Sequence, residues 1–240
     1  MKIISPSYKR AKTVRTHKLI EKVIYAVHEF EAEEYKKKGF EIIVLPDSTK
    51  GNIPNVRNWL LDQKFEKEIL FIDDDIDGFN YWQNCKQIKL SGERLLEHIQ
   101  NMLEVAKSWG VSLFGVNPAS DKGSYREYTP FSTTSYISCS FHGLIDCKHR
   151  YDSNLPLKED YDFCIQICND ERQILRFNQY SLSKKDHQNK GGCADYRTIA
   201  REKAQMKAFQ KKWGKQIVQE DKLSKGFDIN PIVKIPISGV

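Results

Sequence analysis

The stretch Ile69-Leu70-Phe71-Ile72-Asp73-Asp74-Asp75-Ile76 runs four apolar residues straight into three carboxylates. A short apolar run ending in polar residues predicts a strand buried on both faces, as in a parallel sheet. Three adjacent charges at its end need water, a cation or protein partners, because an unpaired charge is expensive to bury. Side chains alternate along a strand, so Asp73 and Asp75 are expected on one side, two carboxylates for one hard cation. Open α/β sheets bind their ligands at the carboxyl ends of strands, where this triplet falls. A solvated acidic turn is the competing reading of the same residues.

Outward from this strand, Lys2–Ser5, Val23–Val27 and Glu41–Leu45 are further short apolar runs separated by amphipathic segments. Such alternation predicts an α/β fold, a mostly parallel sheet with helices on both faces. Immediately before the acidic strand, residues 51–61 carry Pro54 in a first turn and Val56, Trp59 and Leu60 at helical spacing, predicting a helix that ends near Asp62. After it, Ser91–Trp109 places Leu95, Leu96, Ile99, Met102, Leu103 and Ala106 on one helical face, with Gly110 as the stop. A strand over Ser112–Val116, a Ser/Thr/Tyr-rich stretch over Ser120–Ser135 and a strand over Tyr136–Leu144 come next. A helix over Leu157–Asn169, a strand over Ile174–Ser181, a polar loop over Lys184–Ala194 and a basic helix over Tyr196–Trp213 complete the prediction. For Ile232–Val240 a strand and a tail both remain open.

With 240 residues and 40% apolar composition, one domain is expected. It divides into a first part (about 1–115), a second (about 116–215) and an extension (216–240). There is no apolar run of membrane length, and the start Met1-Lys2-Ile3-Ile4-Ser5-Pro6-Ser7 is broken before a signal-peptide core could form, so a soluble cytoplasmic protein is expected. The six cysteines include no Cys-x-x-Cys pair, which predicts buried thiols over disulfides or a zinc site. Lys and Arg outnumber Asp and Glu by 38 to 32, a net charge of +6 that favours an anionic partner. Nucleic acid and nucleotide both qualify, and the oligomeric state is not readable.

Phe71-Ile72-Asp73-Asp74-Asp75 resembles the Asp-x-Asp motif of GT-A glycosyltransferases, a Rossmann-like fold whose central strand ends in acidic residues. The order of further segments extends the resemblance. Ile3-Ile4-Ser5-Pro6-Ser7-Tyr8-Lys9-Arg10 is similar to the family's first strand and nucleotide-binding loop, and Arg57-Asn58 to its Arg-Asn pair one helix ahead of the motif. The resemblance implies a nucleotide-sugar donor, UDP-linked by preference, contacted by Ser5, Ser7, Arg10, Arg57, Asn58, Asp73, Asp74 and Lys190. It also implies Mn²⁺ or Mg²⁺ held by Asp73 and Asp75, with His187 of the late loop as a third ligand. Lys184, Lys185 and Lys190 would face the leaving diphosphate, and Gly191-Gly192 would hinge loop closure.

Lys158-Glu159-Asp160-Tyr161-Asp162-Phe163 resembles the Glu-Asp pair that opens the acceptor-side helix of inverting members. An inverting transfer needs a base for the acceptor hydroxyl. By that analogy the base is Asp160, with Glu159 and Asp162 as alternatives; stabilisation of the helix dipole explains the same acids without catalysis. A narrower resemblance, carried by the Phe-Ile-Asp-Asp-Asp-Ile core, the Lys-Glu-Asp-Tyr-Asp-Phe segment and the His…Gly-Gly loop, is to TET-associated glycosyltransferases. It implies transfer to hydroxymethylated pyrimidines in phage DNA, with the aromatic and hydroxyl-rich Tyr125–Tyr136 stacking on an extruded base. A glycan or protein acceptor, a nucleotidyltransferase or nuclease, and a silent nucleic-acid-binding module are the other expectations the residues permit.

Overall fold

The computed structural model describes residues 1–119, 121, 123, 125–184, 197–221 and 229–235. Its centre is β4 (Glu68–Ile72), whose residues 69–72 are all buried, as a strand covered on both faces requires. The alternation of β4 divides the interior in two. Leu70 and Ile72 enter one core with α1 (Glu29–Lys36) and α3 (Gly92–Ser108), while Ile69 and Phe71 enter a second with α2 (Ile53–Asp62) and α4 (Glu159–Glu171).

One parallel block consists of β1 (Lys2–Pro6), β2 (Ile24–His28), β3 (Ile42–Leu45) and β4, in spatial order β3-β2-β1-β4. The ten-stranded sheet then continues through β9 (Phe141–Ile145), β7 (Leu113–Asn117), β10 (Leu175–Ser183), β5 (Gly78–Gln83) and β6 (Lys86–Leu90), with β8 (Phe131–Ser132) beside the start of β10. Because β9 lies antiparallel to both β4 and β7, and β10 parallel to β7, the carboxyl end of β10 comes to the same side of the sheet as that of β4. Gly143 makes the tight β9–β7 contact feasible, since a Cβ there would overlap the Phe114 ring. α5 (Ile199–Trp213) and the hairpin of β11 (Val218–Glu220) and β12 (Pro231–Val233) pack on α4 through a small cluster that includes Ile165, Met206, Phe209 and Val218.

The α/β class and the helices on both faces are as expected, and element bounds shift by a few residues. Three local differences have physical causes. The hairpin β5–β6 escaped the sequence reading because Asn80 and Gln83 interrupt the apolar residues of the mostly buried β5 and because β6 is polar and exposed; its turn at Asn84-Cys85 takes φ of 49° and 58°, and Asn84 was the available signal. The run Tyr136–Leu144 splits, with only Phe141–Ile145 in a strand, because Tyr136, Ser138 and Ser140 turn to the site. Val233 ends β12, which resolves the open choice at 232 towards a strand, while 236–240 lie outside the described residues. Cys139, Cys164 and Cys168 are buried free thiols, Cys147 is half-buried and Cys85 is exposed. No described helix is long and apolar enough to cross a membrane.

Candidate active site

Strand β4 ends by delivering Asp73, whose N–H donates to the Ser140 carbonyl at 3.0 Å. The three aspartates then meet different surroundings. Asp74 is buried, accepts from Ser7 Oγ and from Arg10 Nη1 at 2.9 Å, and Ser7 Oγ lies 2.7 Å from the Tyr35 hydroxyl. Arg10 Nη1 also reaches Asp75 Oδ2 at 3.0 Å. Lys184, just past β10, sets its Nζ 2.5 Å from Asp73 Oδ2, 3.4 Å from Asp75 Oδ1 and 3.1 Å from Ser140 Oγ. Asp73 and Asp75 therefore share one ammonium while Asp74 turns to the loop after β1. That loop wraps the acids from outside: Arg15 N–H donates to the Asp74 carbonyl at 2.8 Å, and Arg15 Nη1 to both Asp77 oxygens at 2.9 Å.

Burial opposes ionisation of Asp73, but the Lys184 ammonium and then the Arg57 guanidinium outweigh it and bring the carboxyl down to about 2. For Asp74 burial prevails over Arg10 and lifts it to about 6. Asp73 and Asp75, which share the Lys184 ammonium, are a hard, oxygen-only pair that would suit Mn²⁺ or Mg²⁺. Among the described residues no cluster of three metal-ligating side chains forms. His187, Lys185, Lys190 and Gly191-Gly192 lie outside those residues.

On the acceptor side, buried Arg57 on α2 reaches Glu159 Oε1 at 3.1 Å and the Cys139 carbonyl at 3.4 Å, over the Tyr151 ring. Burial first, then the neighbouring Asp160, push Glu159 up to about 7 against the pull of Arg57. Asp160 is also raised by burial, and accepts from the Tyr136 hydroxyl and from the Tyr161 N–H at 2.9 Å. Two sequence expectations change here. Asp162 is fully buried and accepts from Trp213 Nε1 at 2.7 Å, Lys212 Nζ at 2.8 Å and Gln166 Nε2 at 2.6 Å, so it fastens α5 to α4 and cannot meet an acceptor hydroxyl. Asn58 spends both side-chain polar atoms on the Tyr151 backbone, at 2.8 Å each, which removes it from donor contact. Ser5 is buried in β1, its hydroxyl without a hydrogen-bond partner.

Several residues enter the site that the sequence did not announce. A cleft of about 320 Å³ beside Lys184 is lined by Asn117, Ser138, Ser140, Ser183 and others. At the carboxyl ends of β1 and β2, Tyr8 packs edge-on against His28 at 5.6 Å and Phe30 at 5.8 Å, and Phe30 is 56% exposed. The signal for His28 and Phe30 was present, since they follow the buried Val23–Val27 as Asp73 follows Ile69–Ile72. Tyr136 closes the aromatic stretch Tyr125–Tyr136, but nothing local signalled its pairing with Asp160, 24 residues away.

Residues 1–192 match the TET-associated glycosyltransferase family. The chain belongs to that family. Among solved structures this TET-associated glycosyltransferase is similar to the mannosyltransferase PcManGT from Pyrobaculum calidifontis, determined with GDP-Man and Mn²⁺, at 10% identity over 88% of this chain and 63% of that one, with a TM-score of 0.56. Glucosyl-3-phosphoglycerate synthase from Mycobacterium tuberculosis, determined with Mg²⁺ and UDP, matches at 9% identity over 98% and 86%, with a TM-score of 0.50. Residues 1–349 of TarS from S. aureus match at 14% identity and a TM-score of 0.48, over 75% of this chain and 60% of that one. No curated protein matches by sequence. At these identities the structural likeness shows the GT-A fold alone.

Proposed function

We propose that this chain is a metal-dependent, inverting glycosyltransferase that moves a sugar from a nucleotide-sugar, UDP-linked by preference, to the hydroxyl of a 5-hydroxymethylpyrimidine in DNA. The observation that carries the reading is the convergence of Asp73 and Asp75 on the Lys184 ammonium at the carboxyl end of β4, in a chain of this family. The nucleotide-sugar and the divalent ion draw support from the two neighbours determined with GDP-Man and Mn²⁺ and with UDP and Mg²⁺.

In this proposal Asp73 and Asp75 hold Mn²⁺ or Mg²⁺, which supplies positive charge to the leaving diphosphate. Lys184, released from the two acids, adds its ammonium to the same phosphates. Arg10, Ser7 and Asp74 keep the loop after β1 folded around the acids, and Tyr8, His28 and Phe30 receive the nucleobase. The sugar occupies the cleft at Ser138, Ser140 and Ser183. Asp160, oriented by Tyr136 and the Tyr161 N–H, takes the proton of the acceptor hydroxyl as its oxygen attacks the anomeric carbon and the bond to the diphosphate breaks on the opposite face. Glu159, next to it and paired with Arg57, keeps the local field near the balance between protonated and ionised states.

Mass spectrometry of hydroxymethylated and unmodified DNA after incubation with a panel of nucleotide-sugars and Mn²⁺ tests the reading. A hexose or pentose mass shift on hydroxymethylated DNA alone is the expected result. Absence of transfer across the panel rejects the DNA acceptor and turns the same assay to glycans and proteins.

A further inference from the structure

A second cleft of about 320 Å³ opens on the α4 face of the sheet, lined by Thr134, Ser135, Tyr136, Tyr161, Arg176 and by Val233 and Ile235 of the β12 end, among others. Its chemistry is cationic and hydroxylic. Arg176 on β10 donates from Nε to Asn178 Oδ1 at 2.9 Å and from Nη1 to the Tyr136 carbonyl at 3.1 Å. Both acceptors are neutral, Nη2 has no hydrogen-bond partner among the described residues, and no carboxylate lines the cleft. The hydroxyls of Thr134 and Ser135 are equally without partners among the described residues. A half-buried guanidinium facing two free hydroxyls, with no counter-ion, is a donor set for an oxyanion.

The cleft is tied to the candidate base through one residue. Tyr136 gives its hydroxyl to Asp160, accepts from Arg176 at its carbonyl, and stacks its ring on Tyr161 at 3.9 Å. A group bound at Arg176 therefore lies about one tyrosine side chain away from Asp160. We propose that this cleft binds a phosphate group, which in the acceptor is a phosphodiester next to the target nucleotide. The assignment to an acceptor phosphodiester rests on the DNA reading above; the phosphate site itself does not. Phosphate contacts of this kind fix the register of a nucleic acid without reading its bases, which is the task left once Asp160 has to meet one particular hydroxyl.

The test uses hydroxymethylated oligonucleotides in which a single neutral methylphosphonate linkage is walked through the positions flanking the target base, with the full chain and with Arg176→Gln. In the native protein one position lowers kcat/KM about tenfold, the scale of one charge-assisted hydrogen bond. Arg176→Gln loses the same factor on the unmodified oligonucleotide and loses nothing further at that position, while Arg176→Lys recovers part of it. Equal sensitivity of native and Arg176→Gln proteins to every linkage overturns the assignment and leaves the DNA reading intact. A second arm measures protection against thermal unfolding by inorganic phosphate with the donor site saturated by UDP and Mn²⁺. Protection of the native protein but not of Arg176→Gln supports the site even where no oligonucleotide is glycosylated, an outcome that rejects only the DNA acceptor. Equal protection, or none, overturns the phosphate site.

Discussion

The acidic end of β4 and the acidic start of α4 each carry three carboxylates, and the structure gives the two sets different neighbours. At β4 Arg10 and Lys184 lie among the three acids, so Asp73 is held down to about 2, while burial lifts Asp74 to about 6. At α4 Arg57 reaches Glu159 at 3.1 Å and Lys212 reaches Asp162 at 2.8 Å; burial is stronger than the pull of Arg57, so Glu159 and Asp160 are both raised. A carboxylate held ionised, as Asp73 is, suits a metal ion, and an acid raised by burial suits proton transfer. Each set also gives one member to the fold: Asp74 anchors the loop after β1, and Asp162 anchors α5. Composition alone does not separate metal ligand, base and anchor; the partners that each acid meets do.

The sharpest way to break the comparison is Asp75→Ala. Turnover falls more than about a thousandfold and metal-dependent UDP binding disappears, since half of the proposed cation-holding pair is gone. Calorimetry with UDP and Mn²⁺ reads it, and undiminished affinity rejects the metal role. Asp160→Asn comes next, with kcat reduced by roughly a hundredfold, the scale of general-base removal, and donor affinity unchanged. Steady-state kinetics beside the same calorimetry separates the two effects, and near-normal turnover transfers the role to Glu159.

A pH titration sharpens the contrast between the sets. An acid raised by burial is protonated below its folded pKa, so kcat/KM rises with pH through a limb displaced above the ordinary carboxylate range, while Asp73 stays ionised across that limb. Glu159 and Asp160 titrate as a pair, so Glu159→Gln moves the rising limb to lower pH. The same raised pKa has a stability consequence of fixed sign. Between the ordinary glutamate value of 4.5 and about 7 the folded chain holds the proton that the unfolded chain has lost, so this group's contribution to stability falls as pH rises through that window. Chemical denaturation at pH 5 and 8 of native and Glu159→Gln proteins measures it, with the variant losing less between the two.

The smallest expected effect on chemistry comes from Asp162→Asn. Breaking its contacts to Lys212 and Trp213 lowers stability by about 2 kcal/mol, at the low end for a buried charge pair because Lys212 is partly exposed. Turnover per folded molecule stays within about threefold. A collapse of kcat in a protein that remains folded would return Asp162 to the active site.

Periodicity carried most of the fold. The apolar runs ending at Val27, Leu45 and Ile72 and the helical spacing in 51–61 and 91–109 are local patterns, and each became an element of the sheet or its covering helices. The hairpin β5–β6 was lost for the same reason, since Asn80 and Gln83 interrupt the apolar residues of β5 and the polar, exposed β6 carries no such pattern. The sequence by itself also determined that two acidic clusters stand at the end of one strand and the start of one helix, because strand alternation and helix starts are set by neighbours in the chain. Only the tertiary structure decided what each acid does. Lys184 reaches Asp73 across 111 residues, Arg57 reaches Glu159 across 102, Ser7 reaches Asp74 across 67 and Trp213 reaches Asp162 across 51. A carboxylate's charge state and duty follow from which cation or donor the folded sheet brings beside it, and that neighbour is fixed by strand order rather than by sequence distance.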